Sequence, residues 1–248
     1  RLAIQNALNA QHCAYLPTGR YDIVTPSFIP PARRIYDMLV LPDDSVLSGD
    51  GLASVLVFRG NAGQQDWRGI GLNNDRSAVH DLWFDTSALT NTSEQTHVIH
   101  VTGPVDTFDV SHNYFNHPDR GELGGDCVQL TGYAVTPIVH ASIEGNNFDK
   151  CDRSGVGVHS GTYDLSIVNN HFGTVGDQPI DFEGSGSEAD AIDGVVIDNN
   201  VIDYMPGSQG EMSVEIQMTR NLVFRNNRVA GRGLFVFGCV HCKFLHNV

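Results

Sequence analysis

Ile143-Glu144-Gly145-Asn146-Asn147-Phe148 and Ile167-Val168-Asn169-Asn170-His171-Phe172 are two copies of one pattern: an apolar residue, two more, an Asn, one more, an apolar residue. Val110 to Phe115 is an earlier copy, Ile197 to Ile202 and Phe224 to Val229 are later ones, and Phe244 to Val248 is a last, interrupted one. The key Asn residues are 113, 146, 170, 200, 227 and 247, with spacings of 33, 24, 30, 27 and 20 residues. Val79-His80-Asp81-Leu82-Trp83-Phe84 fits the same frame, with Leu82 in the Asn slot. Repetition at this length marks a solenoid. The units are short, β-branched and punctuated by Gly and Asn, with no helical stripe, so they read as strands and turns. Regular Leu positions, which a leucine-rich repeat needs, do not occur. The pattern predicts an all-β chain folded as a parallel β-helix, one coil per repeat. Asn suits the turn between two strands because it tolerates left-handed backbone and its amide bonds stacked copies of itself.

Upstream of each Asn turn lies a second strand: Cys127 to Thr131, Gly155 to His159, Pro179 to Glu183, Ser213 to Gln217 and Gly233 to Phe237. Apolar residues alternate with others, as in half-buried strands. Val128/Leu130, Val156/Val158, Ile180/Phe182 and Val214/Ile216 are predicted to point inward. The outward column is then Gln129 and Thr131, Gly157 and His159, Asp181 and Glu183, Glu215 and Gln217. Adjacent coils lie about 4.8 Å apart, and residues two apart on a strand about 6.5–7 Å. Asp181, Glu183 and Glu215 are therefore expected in one acidic patch with His159 beside it. Asp126, Arg153 and Asp177 stand just before their strands.

The chain has 248 residues, and the repeat argues that all of them, 1–248, form one solenoid domain. It carries a net charge of −14 and only two lysines, Lys150 and Lys243, which argues against nucleic acid or an anionic membrane as partner. No apolar run reaches membrane-spanning length. The sequence shows no signal peptide, starts at Arg1 and breaks off inside a repeat, so a longer protein is expected around it. Five cysteines leave at least one without a partner in the chain. Cys127 and Cys151 are 24 residues apart, about one coil, a separation a disulfide could bridge. Cys239-Val240-His241-Cys242 has the CxxC form but lacks the further ligands of a zinc site and the βαβ context of a redox site, so it reads as buried apolar cysteine.

Residues 1 to 12 read as an amphipathic helix, with Leu2, Ile4, Ala7 and Leu8 on one side, covering the open end of the solenoid. Coils follow from 13 to 248. The order Ala3-Ile4-Gln5-Asn6-Ala7-Leu8, Tyr15-Leu16-Pro17-Thr18-Gly19-Arg20-Tyr21, Leu47-Ser48-Gly49-Asp50-Gly51 resembles the entry segment of pectate-lyase-like right-handed β-helix proteins. The resemblance covers about the first 60 residues by motif and the rest by repeat type. It implies right-handed coiling. The family includes polysaccharide lyases, glycoside hydrolases, uronate epimerases and phage tail spikes, so it does not select a reaction. Gly125-Asp126-Cys127-Val128 is similar to the Asp-Cys strand entry of polygalacturonase-type hydrolases, but Gly125 stands where a paired Asp belongs. Gly155-Val156-Gly157 replaces their Gly-His-Gly element, and the Asp-Pro-His motif of alginate epimerases is absent.

Loops are expected at 22 to 45 (before a strand from Met38 to Leu41), 61 to 74, 86 to 96, 117 to 125, 185 to 190 and 204 to 211. Such insertions build the walls of a groove in solenoids. Closely spaced carboxylates raise a pKa or bind a cation. The first outcome suits glycoside hydrolysis, with one carboxyl as acid and another activating water. The second suits a calcium-dependent lyase on uronate sugars, with Asp181, Glu183 and Glu215 as calcium ligands. The patch is rich in carboxylates and poor in Lys and Arg, so the leading expectation is an extracellular polysaccharide hydrolase. Asp181 and Glu183 would be its acid/base pair, Glu215 would tune or replace one of them, and His159 would orient sugar. Arg153, Gln129, Gln217, Asp126 and Asp177 are the expected substrate contacts. From another class, a non-catalytic glycan-binding module is expected if the chain is part of an adhesin or a trimeric tail spike on a virion surface. His112, Tyr114, His117, Asp119 and Arg120 form a second, lower-ranked polar cluster. Trp67, Trp83 and Tyr133 are aromatic candidates for stacking on sugar, Trp83 being assigned to the core by its strand.

Overall fold

The repeated Asn is the element that ties coil to coil. The computed structural model describes residues 1–24, 35–60, 66–90, 93, 95–117, 124–185, 191–203, 214–231 and 233–248. In it Asn113, Asn146, Asn170, Asn200, Asn227 and Asn247 stack in register. Each Nδ2 donates to the Oδ1 of the next Asn at 2.9–3.2 Å. Each Nδ2 also donates to a backbone carbonyl of the preceding coil, as from Asn170 to Ile143. The backbone N–H of each Asn donates to the Oδ1 of the next, and Leu82, in its predicted Asn slot, donates its N–H to Asn113 Oδ1 at 3.1 Å. The left-handed backbone falls one residue earlier than expected, on Asp81, His112, Gly145, Asn169, Asn199, Asn226 and His246. The turn thus divides two tasks that the Asn-Asn pair seemed to share: the first residue bends the chain, the second makes the ladder.

Replacing Asn170 by Ala should therefore cost far more than an average polar truncation. It removes two bonds that Asn170 donates and two that it accepts from Asn146, in a site only about 1 % exposed. Orphaned buried groups cost about 1–3 kcal/mol each, so a loss of about 3–5 kcal/mol and about 10 °C in Tm is expected in a thermal melt. A drop under about 2 °C would show that the ladder does not carry the coil.

Three all-parallel sheets run through the described residues, of eleven, eight and eight strands. The first begins at Cys13–Leu16, the second at Gly19–Val24 and the third at Ile35–Leu41. The Asn ladder turns the corner from the first to the second. The helix Leu2–Gln11 buries Ile4 and Leu8 of its predicted stripe at the N-terminal end, leaves Leu2 exposed, and ends on left-handed His12. Inside, Phe58, Phe84, Phe115, Phe148 and Phe172 form a column with centroid spacings of 6.4, 5.1, 4.9 and 4.7 Å and near-parallel rings. Stacked identical residues are what a 4.8 Å repeat favours. The predicted inward residues of the third sheet, Val128, Leu130, Val156, Val158, Ile180, Phe182, Val214 and Ile216, are all fully buried. No helix among the described residues is long and apolar enough to cross a membrane.

Several expectations are corrected. The stretch from 61 to 74 is not one loop: Asp66–Leu72 is a strand of the third sheet, and Trp67 on it is fully buried, edge-on to Phe58 at 5.2 Å. Trp67 belongs to the core and offers no sugar platform. Trp83 is the reverse case: it lies half-buried on the outside of the second sheet, edge-on to Tyr114 at 5.3 Å. The strand expected from Met38 starts earlier, at Ile35. Cys127 and Cys151 form a disulfide between neighbouring coils. Cys239 and Cys242 are also joined, which overturns the reading of free apolar cysteines, and Cys13 is free and exposed. The expected loops at 186–190 and 204–211 and most of 117–125 lie outside the described residues, as do Asp119 and Arg120. Of that second polar cluster His117 is buried against Thr86 and His112 is an exposed turn residue.

Candidate functional site

The outward face of the third sheet brings Asp126, Arg153, Asp181, Glu183 and Glu215 within electrostatic reach of one another. Register pairs Gln129 with Gly157, Gly157 with Asp181, and Asp181 with Glu215. His159 pairs with Glu183, one step along the strands. The sequence column is therefore realised, because period-two alternation leaves no other face for these residues once the valines and isoleucines turn inward.

Asp181 is the perturbed group. It is 7 % exposed, and its carboxyl is pushed up to about 8 by burial and by the negative charges of Glu183, Asp126 and Glu215, with Arg153 opposing. Asp177 is raised in the same way, by burial and its acidic neighbours. Glu183 is exposed and meets His159 Nε2 at 3.2 Å. Glu215 accepts from Gln178 Nε2 at 2.9 Å and from Gln217. One neutral carboxylic acid thus stands among carboxylates that are hydrogen-bonded to separate partners. Among the described residues no three His, Cys, Asp or Glu groups converge to hold a metal ion.

Asp126 and Gln129 differ from expectation. Both were read as substrate contacts, yet Asp126 is fully buried and Gln129 only 2 % exposed. Asp126 accepts a bidentate pair from Arg153, Nε to Oδ1 at 2.9 Å and a terminal N–H to Oδ2 at 2.7 Å, and the backbone N–H of Ser154 at 3.0 Å. Burial alone would raise the Asp126 carboxyl, but Arg153 and His97 together outweigh it and hold the group far below the usual carboxylate range. Arg153 in turn is held above its ordinary value by Asp126, against its own burial. Gly157 is what lets this pair fit: a side chain there would strike the Gln129 amide oxygen and the Asp126 carboxylate. Arg153 faces Asp181 and Glu183 electrostatically, and Gln217 reaches the site through Glu215.

Two histidines escaped the sequence reading. His97 and His100 lie on Thr96–Thr102, one coil before Val128–Thr131. His97 Nδ1 accepts the backbone N–H of Asp126 at 3.0 Å, so it anchors the ion pair from the other side. His100 pairs in register with Gln129 and meets Thr131 Oγ1 at 2.9 Å. Burial lowers both pKa values, that of His100 strongly, with His97 and Arg68 adding to the effect there, so both rings are neutral near pH 7. The alternation of His100 with Ile99 and Val101 is the available signal, whereas His97 has the parity of those apolar residues and follows a stretch that reads as an insertion.

No family model and no curated protein matches the chain. Solved structures do. The A-modules of the mannuronan C-5 epimerases AlgE4 and AlgE6 of Azotobacter vinelandii superpose with TM-scores of 0.58 and 0.55 at 16 % and 19 % identity, covering 100 % and 99 % of this chain and 72 % and 71 % of theirs. The catalytic domain of a GH87 alpha-1,3-glucanase, solved with tetrasaccharides, gives 0.51 at 13 % identity over 96 % of this chain and 56 % of its own. At these identities the likeness is one of fold, and the chain is a right-handed parallel β-helix, as its entry segment implies.

Proposed function

We propose that the chain binds and cleaves a polysaccharide along the outward face of the third sheet, by glycoside hydrolysis. The observation that carries this is Asp181: a carboxyl with a pKa of about 8 is protonated at neutral pH, as a general acid must be. Glu183, two residues along the same strand, is the base. Glu215 raises the acid's pKa, and His159 orients sugar and Glu183. The names of the similar structures, an epimerase of mannuronan and a glucanase, support a carbohydrate substrate but no particular reaction.

The test is a panel of neutral, amino and uronate polysaccharides, with and without chelator, read for reducing ends and for the ultraviolet absorbance of an unsaturated sugar. Reducing ends without absorbance are expected. Absorbance that depends on calcium would replace hydrolysis by elimination. No product across the panel would favour the alternative, a glycan-binding adhesin or tail-spike module at a cell or virion surface.

A further inference from the structure

The corner between Thr131 and Ile138 is longer than the corners of the coils on either side, and it stands beside the acidic face. The third sheet hands the chain to the first at equivalent points in successive coils: Val105, Ile138 and Thr162 are paired in register, as are Thr102 and Thr131. Between Thr102 and Val105 the link is Gly103-Pro104, and between His159 and Thr162 it is Ser160-Gly161. Between Thr131 and Ile138 it is Gly132 to Pro137, four residues more. The added residues close on themselves, with the Tyr133 N–H donating to Thr136 O at 3.1 Å and the Thr136 N–H to Tyr133 O at 3.0 Å. The neighbouring corners are shaped to seat this hairpin. A side chain at Gly103 would collide with Thr136 O, and one at Gly161 with the Tyr133 backbone. At its tip Tyr133 is 55 % and Val135 88 % exposed.

A held hairpin that presents an aromatic and an aliphatic side chain to water gains nothing for the core. It lies two residues beyond Thr131, whose strand is the immediate neighbour of the one bearing His159, and Glu183 is one coil further. We propose that this hairpin is a sugar-binding subsite, in which Tyr133 stacks on a pyranose ring of the same glycan that occupies the acidic face. This rests on the polysaccharide reading above. A pyranose offers a face of C–H groups that suits an aromatic ring with its polar edge left in water. The hairpin is outside the Asp181 centre, so it adds affinity for long chains and leaves the bond-breaking step alone.

The test compares the wild-type chain with Tyr133→Ala and Tyr133→Phe. On whichever polysaccharide of the panel is cleaved, Tyr133→Ala should raise KM for long chains about tenfold at unchanged kcat and leave the shortest cleaved oligomer unaffected, while Tyr133→Phe behaves as wild type. Equal KM values on long chains, or a loss confined to kcat, would overturn the subsite. If nothing on the panel is cleaved, affinity electrophoresis through the same polysaccharides separates the two ideas. Retardation of the wild type that Tyr133→Ala loses keeps the subsite while hydrolysis falls. Equal mobility of the two proteins in every gel overturns the subsite itself.

Discussion

On the proposed mechanism, Asp181→Asn should lower turnover about 10²–10⁴-fold and should yield a protein that melts several degrees higher than the parent. The first effect follows from removing the proton donor, whose usual worth is of that size. The second follows from linkage. Asp181 has a folded pKa of about 8 against an ordinary 3.8, so the unfolded chain ionises first as pH rises. Stability tied to this group is fully present below about pH 4, falls as pH rises through the interval, and is lost by pH 8. A gap of about four units corresponds to at most about 5 kcal/mol, and an uncharged amide escapes it. Activity of the parent should fall above about pH 8 as the acid loses its proton, while Glu183→Gln should abolish turnover with a smaller gain in Tm, because Glu183 is exposed and its charge is only one of the causes that raise Asp181. A folded Asp181→Asn protein with turnover within threefold of the parent would remove Asp181 from the chemistry.

The parts of this molecule legible in the sequence are those with a short period. The six ladder Asn residues, the buried Val128/Leu130 series and the acidic column needed only the repeat and the two-residue alternation of a strand. What escaped depends on contacts between coils. Nothing local says that Asp126 is fully buried, since its partners Arg153 and His97 come from the coils on either side. Trp67 sits in a Gly-rich stretch that looks like a loop until Phe58 and the third sheet are placed around it. Trp83 occupies a strand position as an inward residue would, yet it points out, because Phe84 is the member of the pair that joins the phenylalanine column. The Tyr133 hairpin was visible as an exposed aromatic, but its four added residues emerge only when three corners are compared in register.

The second large effect expected is on stability. Asp126→Ala should cost about 3–5 kcal/mol, because it takes away the buried carboxylate that the largely buried Arg153 guanidinium grips with two hydrogen bonds. For a chain of this size that is about 10 °C in Tm. The folded pKa of Asp126 is depressed, so its contribution is present above the ordinary carboxylate range and is lost only as pH falls below about 4. The deficit should therefore close on acidification below about pH 4, and should narrow as pH approaches 8, where a lowered Asp181 pKa trims the loss tied to that group. Arg153→Ala leaves a buried lone carboxylate and should be destabilising by a similar amount near pH 7, but less so in acid, where Asp126 takes up a proton. The double variant should recover part of either loss, since removing both charges also removes their desolvation. Site chemistry should move with it. Asp126 raises the Asp181 pKa and Arg153 lowers it. Asp126→Ala is thus expected to shift the alkaline limb of the activity profile to lower pH, and Arg153→Ala to higher pH. Opposite shifts from two partners of one ion pair are what an electrostatic link to Asp181 requires. A general loss of packing would lower activity in both without moving the limb, and a Tm within about 2 °C of the parent in Asp126→Ala would show that the pair does not hold the site.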